Sequence, residues 1–210
     1  MLSRLFRAVA VVSCFTLISC KEYKVREVKD FRLYVNSDNT ELKTAIIELA
    51  AQYNKDVGAR ALTVVDDKSQ SNSNINFVDG LKDDGGQKLG LGQWITTEQA
   101  KSNLGAYGAE RQVTVYHSMA LEFDAENFAG KMEGLTDKTS DEYKHLYHLF
   151  CHEVGHGMQL DHSNDKTNVM YKSIPDRYTR AVDFNGYFAY IRSYLNVKNQ
   201  APVLVDNSAL

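Results

Sequence analysis

The sequence lacks an excess of positive charge and shows no internal repeat or low-complexity stretch. Its 24 Lys and Arg residues are outnumbered by 27 Asp and Glu residues, which gives a formal net charge of −3. Nucleic-acid-binding proteins usually carry a basic face, so we do not expect nucleic acid as a partner. The 210 residues, of which 43% are hydrophobic, are enough for one globular domain, and we expect a monomer.

The N-terminal segment lacks the length of a transmembrane helix. The apolar run Ala8–Ile18 follows Arg4 and Arg7 and is too short to span a bilayer, which is typical of an export signal. The run ends in Leu-Ile-Ser-Cys, which resembles the lipobox of bacterial lipoproteins, where cleavage leaves an N-terminal lipid-bearing cysteine. We therefore predict a signal peptide over residues 1–19 and a lipid on Cys20. The alternative is an ordinary signal peptide with an incidental cysteine.

The lipobox resemblance implies export and anchoring to the bacterial cell envelope. Lys21, rather than Asp, follows the cysteine, which favours the outer membrane if the source is Gram-negative. The charged residues 21–30 predict a short tether, with the alternative that they begin the first strand. We thus predict a lipidated N-terminus and tether over 20–30, one globular domain over 31–196 and a weakly patterned tail over 197–210.

The sequence contains only three cysteines, which limits the disulfides that it can form. Cys14 leaves with the signal and Cys20 would be acylated, so Cys151 has no partner in the mature chain. We expect no internal disulfide. Cys151 and His152 are neighbours on a predicted helix, where successive side chains point about 100° apart. We therefore expect Cys151 to face the core rather than the side that His152 faces.

Apolar periodicity predicts an α+β fold in which most of the sheet precedes the last two helices. The predicted strands are Phe31–Val35, Ala61–Val65, Asn74–Val78, a strand around Gln87–Ile95, and Gln112–His117 with a continuation to Phe123 left open. The predicted helices are Glu41–Tyr53 with Asn39 or Thr40 as N-cap, Asp141 to about Met158, and Arg177–Leu195. In the first helix, apolar residues spaced three and four apart predict one buried stripe.

Two polar segments are predicted to be surface loops, Asp66–Asn74 and Asp79–Gly86. The second contains Asp83-Asp84-Gly85-Gly86. Asp-Gly clusters are usually plain turns, and the spacing is not that of an EF-hand loop, so a Ca²⁺ site here is only the alternative reading.

The motif His152-Glu153-Val154-Gly155-His156 carries the chemistry. On a helix the two histidines project from one face, where two imidazole nitrogens can bind one Zn²⁺ at about 2.0–2.1 Å. A catalytic zinc site needs three protein ligands and one open position, and Glu153 is placed to act as a general base. The pattern therefore predicts zinc-dependent hydrolysis.

The third ligand must come from further along the chain. No glutamate follows Glu153, which excludes a downstream glutamate ligand. His162 is the best candidate, with Asp161 and Asp165 as alternatives. On a continuing helix His162 would lie about 240° around the axis from His156, so the helix must end soon after His156.

The stretch from His152 to Ser163, His-Glu-Val-Gly-His-Gly-Met-Gln-Leu-Asp-His-Ser, resembles the extended zinc signature of the metzincins and, among them, the matrixins. Asn168-Val169-Met170-Tyr171 resembles the Met-turn of that clan. The resemblance implies a catalytic domain with a twisted mixed β-sheet, an active-site helix, a Met-turn and a C-terminal helix. It also implies zinc on His152, His156 and His162.

The resemblance further implies roles around the metal. Met170 would form the apolar floor under the ligands, and the segment through Pro175 and Tyr178 would wall the pocket for the substrate side chain after the scissile bond. Tyr171 or Tyr178 is an alternative candidate to assist the oxyanion. Protein or peptide substrates would add a strand to the sheet edge near residues 87–95.

Two departures from the family pattern stand out. Gln159 occupies the position of a glycine that lets the helix end in a left-handed turn, so Gln159 must adopt that turn itself or Gly157 must move the break earlier. The sequence also shows no prodomain with an inhibitory cysteine, so we expect no latency of the matrixin kind.

The remaining histidines are interpreted as structural, His148 as bonded to backbone or solvent, and His145 and His117 likewise. The tyrosines of the last helix are interpreted as packing aromatics. The rival to the peptidase is a catalytically inactive zinc-binding envelope lipoprotein that acts as a protein-binding module.

Overall fold

The computed structural model describes residues 23–83, 85–105, 108–175, 177–179 and 181–196, with the side chains of 23–24 and 101–112 left out. The predicted signal peptide, Cys20 and the 197–210 tail lie outside the described residues. Within the described part of the chain, no helix combines the length and apolar character needed to cross a membrane.

Alternating apolar and polar residues build a twisted, mostly parallel sheet. The strands of this sheet are β1 Tyr23–Val28, β2 Phe31–Asn36, β3 Leu62–Val65, β4 Ser73–Val78, β7 Gly90–Gly105 and β8 Gly108–Asp124, and β5 Lys82–Asp83 and β6 Gly86–Gln87 form a separate pair. In order across the sheet, β3, β2, β4 and β8 are parallel neighbours. β1 pairs in parallel with the N-terminal half of β8, and β7 pairs antiparallel along the other edge of β8. The predicted mixed sheet is confirmed.

Residues 23–28, for which the sequence favoured a tether, form strand β1 instead. The register runs from Tyr23 beside Arg111 to Val28 beside Tyr116. Three of its six residues are charged, so the local pattern is a weak strand signal, and pairing with β8 makes this segment part of the sheet. The ordered domain thus begins before residue 31, as the alternative reading had it.

The helices are α1 Thr40–Val57, α2 Ala125–Ala129, α3 Asp141–Gly157 and α4 Phe184–Tyr194, with short 3₁₀ turns at Lys68–Gln70 and Met132–Thr136. Asn39 caps α1, as predicted, by accepting the Glu41 N–H at 2.8 Å. The predicted stripe of α1 is buried and joins one core with alternate residues of β2 and β8 and with the apolar face of α3.

Helix α4 begins at Phe184, seven residues later than the predicted start at Arg177. Asp183 caps it by accepting the Gly186 N–H at 2.9 Å. The Asp183 N–H itself donates to the Thr167 carbonyl at 2.7 Å, so the chain before the cap is held against the segment that precedes the Met-turn. This long-range pairing competes with helix formation and is not visible in the local pattern.

Aromatic residues pack helices α1, α3 and α4 against one another. The Tyr187 hydroxyl donates to the Cys151 carbonyl at 2.6 Å and lies 3.1 Å from the Tyr53 hydroxyl. Tyr53 also makes edge contacts with Phe150. Tyr187 and Cys151 are buried, which confirms the packing role predicted for both.

Candidate metal centre and active-site cleft

Helix α3 presents the first two histidines and the glutamate of the motif. Ser140 caps the start of the helix by accepting the Tyr143 N–H at 3.0 Å. Acidic residues occupy the first turn, where their negative charge interacts favourably with the helix dipole. The helix is buried over most of its length, including His152 (5% exposed) and Glu153 (4% exposed). The motif therefore sits on a rigid element in the core.

The helix ends at the point where the chain must turn towards the metal site. Gln159 takes the left-handed conformation with φ 67°. The Leu160 N–H donates to the Gly155 carbonyl at 2.9 Å and the Gln159 N–H to the His156 carbonyl at 3.1 Å, which is the hydrogen-bond pattern of a Schellman motif. Gln159, rather than Gly157, thus makes the turn.

This turn brings His162 to the first two histidines. The Nε2 atoms of His152 and His156 lie 3.2 Å apart, and each lies 3.3 Å from Nε2 of His162. Three nitrogens bound tetrahedrally at 2.0–2.1 Å from one zinc ion would be about 3.3 Å apart. The three ring nitrogens therefore fit a Zn²⁺ ion. Among the described residues they are the one group of three or more histidine, cysteine or acidic side chains able to hold a metal.

The protonation of the histidines also fits metal binding. Nδ1 of His152 lies 2.9 Å from the Val169 carbonyl, and Nδ1 of His156 lies 2.7 Å from the Leu160 carbonyl. A carbonyl only accepts, so each Nδ1 carries the proton and each Nε2 presents a lone pair. Burial lowers the pKa of His152 to about 3 and also lowers the pKa of His156, which keeps both rings neutral.

The alternative third ligands have other positions. Asp165 accepts the Thr167 N–H and hydroxyl, each at 2.8 Å, within its own turn. Asp161 is exposed and lines a neighbouring cleft with Trp94 and Gln159. Neither belongs to the group of converging ligand atoms, whereas His162 does.

Met170 lies under α3, where the Met-turn was predicted. Its side chain is 3% exposed, and the Asn168 side chain accepts the Met170 N–H at 2.8 Å. A Cβ atom at Gly155 would lie 2.5 Å from the Met170 sulfur, so Gly155 permits the contact. The Met170 carbonyl in turn accepts the Ser163 N–H at 2.8 Å, which ties the third-ligand loop to the turn.

Strand β7 approaches α3 so closely that two positions require glycine. A Cβ at Gly92 would lie 2.2 Å from the Glu153 carbonyl oxygen, and a Cβ at Gly90 would lie 2.7 Å from the Glu153 carboxylate. Sequence reasoning missed both glycines, although two glycines in a strand pattern are a signal of close backbone approach.

Glu153 lies in this narrow space. Burial raises its pKa to about 8, while the Gly92 backbone N–H and the charge of Lys88 act in the opposite direction. A bound dication would lower that pKa further, because positive charge stabilises the carboxylate.

A cleft of about 380 Å³ opens beside the three histidines and Glu153. One wall comes from residues 87–92, at the start of β7, and another from Leu149 of α3. The segment after the Met-turn contributes Lys172, Ser173 and Ile174.

The segment predicted to wall the pocket thus borders the cleft, but through residues other than those predicted individually. Tyr171 and Pro175 are not among the described residues that line the cleft. The Tyr178 hydroxyl lies 2.8 Å from Nδ1 of His148 and 3.0 Å from the Lys144 carbonyl, and the residue lines a different cleft with Phe184. These contacts connect Tyr178 to α3, and the oxyanion role of Tyr171 or Tyr178 stays a prediction.

His148 has a structural role, as predicted, but one connected to the site. Its Nε2 lies 2.9 Å from the same Val169 carbonyl that orients His152. The carbonyl thus accepts from two histidine rings one helical turn apart. Burial lowers the pKa of His148 to about 4, so the ring is neutral.

The other two histidines also pack away from the metal centre. Nδ1 of His145 lies 3.2 Å from the Pro175 carbonyl. His117 accepts the Trp94 indole N–H at 3.1 Å.

The geometry agrees with what comparison with known proteins finds. The Peptidase_M10 family profile, described as matrixin, matches residues 34–186 and so covers more than half of the chain. The match includes α1, the active-site helix, the third histidine and the Met-turn. A search of curated proteins finds no match. With three convergent histidines on a metzincin-like fold and a family match of this extent, the chain belongs to the matrixin family of peptidases.

Proposed function

We propose that this protein is a zinc-dependent endopeptidase that hydrolyses peptide bonds in protein substrates, with Glu153 as general base. The observation that carries the proposal is the convergence of three histidine Nε2 atoms, 3.2–3.3 Å apart, beside the buried Glu153 carboxylate. Zn²⁺, when bound, supplies a Lewis acid that lowers the pKa of water to about 7 and polarises a carbonyl. His152, His156 and His162 would hold it.

Glu153 supplies the proton-transfer group. It follows His152 directly and borders the cleft, so its carboxylate is within reach of the metal position. A base at this point takes the proton of the attacking water and passes it to the leaving amine. Glu153 and His152 are buried, so bulk water is kept away from them and electrostatic interactions at these groups are stronger.

The edge of β7 supports substrate binding along the cleft. β7 pairs with β8 on one side, and its other edge has no strand partner among the described residues. Residues 87–92 of this region border the cleft. An extended peptide can therefore add a strand there through main-chain hydrogen bonds, which requires no particular side chain.

The rival function is a zinc-binding module without catalysis. A structural zinc site usually closes its fourth position with a protein ligand and needs no adjacent base. The described cluster has three histidines, and the fourth side opens on the cleft, which supports catalysis over a structural role.

The decisive experiment compares Glu153→Ala with the parent protein. We expect full zinc content and a fall in kcat/KM of about 10²–10⁴-fold on a broad peptide library, since a general base contributes that much. Glu48→Ala, at an exposed position of α1, is the matched control and should keep full activity. A zinc-loaded parent that cleaves no peptide, with Glu153→Ala indistinguishable from it, would favour the rival module.

We also propose that the protein is exported and anchored by a lipid on Cys20. The support is the basic and apolar N-terminal segment with its lipobox-like end. Metabolic labelling with a fatty acid should mark the parent chain and leave Cys20→Ser unlabelled and released from membrane fractions. Label that persists in Cys20→Ser would refute the anchor without touching the proposed catalysis.

A further inference from the structure

Lys172 places a positive charge in the cleft beside the histidines. It follows the Met-turn, lines the cleft and is exposed. It has no hydrogen-bond or ion-pair partner among the described residues. A cation that is not satisfied by the protein is free to pair with a substrate group.

The other lysine of this cleft is already neutralised. The Lys88 ammonium lies 3.3 Å from the Asp83 carboxylate, and both side chains are only partly exposed. Apart from Glu153, which is assigned to catalysis, the charged residues in the described lining of this cleft are this pair and Lys172. With Glu153 set aside, the net charge of the described lining residues of this cleft is therefore positive.

A second cleft shares two lining residues with the first and carries the opposite charge. Gly92 and His156 border both clefts, so the two adjoin beside β7, and together they are called the groove below. The second cleft is lined by Trp94 and by Asp161, which is exposed and has no hydrogen-bond or ion-pair partner in the part of the chain that the structure describes. No lysine or arginine is among its described lining residues.

Trp94 gives this second cleft a preformed aromatic surface. It is 42% exposed, and its indole N–H donates to Nδ1 of His117 at 3.1 Å, with the two rings stacked. An aromatic face beside a carboxylate is a favourable surface for a guanidinium or ammonium group, through cation–π and ionic contacts.

We propose that the groove selects peptides with an acidic side chain after the scissile bond and a basic side chain, preferably arginine, before it. The acidic residue would pair with Lys172 and the basic residue with Asp161 and Trp94. The inference rests on the proposed peptidase function. It takes the order along the peptide from the matrixin resemblance, in which the segment after the Met-turn borders the residue that follows the cleaved bond.

The size of the effect follows from the exposure of these groups. Exposed ion pairs contribute modestly, so each matched charge should raise kcat/KM about two- to fivefold at low ionic strength and less at high salt. A peptide with both charges matched should be cleaved about tenfold faster than one with both charges reversed.

The test uses four peptides that differ only at the two positions flanking one scissile bond: Arg/Asp, Arg/Lys, Glu/Asp and Glu/Lys. The zinc-loaded parent should prefer Arg/Asp. Lys172→Glu should reverse the preference after the bond, and Lys172→Met should abolish it while the apolar stem is kept. Asp161→Asn should weaken the preference before the bond alone. Lys68→Glu, at an exposed position outside the two clefts, controls for net charge.

The outcomes separate this inference from the function on which it rests. Cleavage of all four peptides at equal rates, or a preference that Lys68→Glu shifts as much as Lys172→Glu, would overturn the charge selection and leave the peptidase intact. Zinc-dependent cleavage with the opposite preference would overturn the assigned order. Failure to cleave any peptide, these four or the broad library, would overturn the proposed function as well.

Discussion

Gln159 holds a left-handed backbone, φ 67°, at the residue where α3 ends and the chain turns to deliver His162. The hydrogen bonds from Leu160 to Gly155 and from Gln159 to His156 keep this conformation in place. For a residue with a Cβ this conformation costs on the order of 1–2 kcal/mol. Zinc binding, worth on the order of 10 kcal/mol for a structural site, is large enough to tolerate this cost.

Gln159→Gly should therefore stabilise the metal-free protein by up to about 1 kcal/mol, because glycine enters the left-handed region without steric penalty. Part of the gain is lost to the greater freedom of glycine in the unfolded chain. Urea unfolding at equilibrium, in the presence of a chelator, measures the difference. Gln52→Gly, within α1, is the control and should destabilise by about 1 kcal/mol. Equal destabilisation by both variants would contradict the strain at Gln159.

Strand β7 and helix α3 form the element pair on which the cleft depends. Gly90 and Gly92 let the strand lie against the helix at Glu153, and the same strand offers its outer edge to substrate. The sequence predicted a strand around Gln87–Ile95, but it did not predict that this strand contacts α3. Periodicity reports which residues of a strand are buried; it does not report how near another backbone comes.

Gly92→Ala should destabilise the protein by about 1–3 kcal/mol and lower kcat/KM, since its Cβ would lie 2.2 Å from the Glu153 carbonyl oxygen and the strand must move away. Thermal unfolding and peptide cleavage are measured together. Gly80→Ala is the matched control, because Gly80 has φ +62° but a Cβ at that position would meet no atom within 4 Å. It should cost about 1 kcal/mol and leave catalysis unchanged. Unaltered activity in Gly92→Ala would refute the close approach.

At the scale of the whole molecule, three successive segments of the chain converge on the metal position. Helix α3 supplies His152 and His156, the loop after it supplies His162, and Val169 and Met170 brace them from the Met-turn. Each contact is present only in the folded protein. Metal binding is therefore linked to folding of the domain.

Removal of zinc should lower the melting temperature. At a free zinc concentration about 1,000 times Kd the ion adds about 4 kcal/mol, which corresponds to about 8–16 °C for a domain of this size. Calorimetric scans with zinc and with excess chelator measure the shift. His156→Ala should show the lower melting temperature in both conditions. If the melting temperature of the parent protein is the same with zinc and with chelator, metal binding at the three histidines is refuted.

Much of this architecture follows from local sequence pattern. The cap and buried stripe of α1, the extent of α3 and most strands were predicted, because each depends on residues near one another in the chain. Strand β1 and the late start of α4 were not, since one depends on β8 and the other on the Thr167 carbonyl.

Local sequence is enough to specify the chemistry of the site: two histidines and a glutamate on one helix, a third histidine six residues on, and the Met-turn beyond. The spacing of side chains along a helix is a local property, so the motif could be interpreted without coordinates. The folded structure was needed to establish that Gln159 makes the turn, that Gly90 and Gly92 let β7 lie against Glu153, and that Lys172 and Asp161 line the clefts at the metal position. The approach of β7 to Glu153 joins residues far apart in the chain, which no local pattern specifies. The turn is local, but the sequence left it open between Gly157 and Gln159.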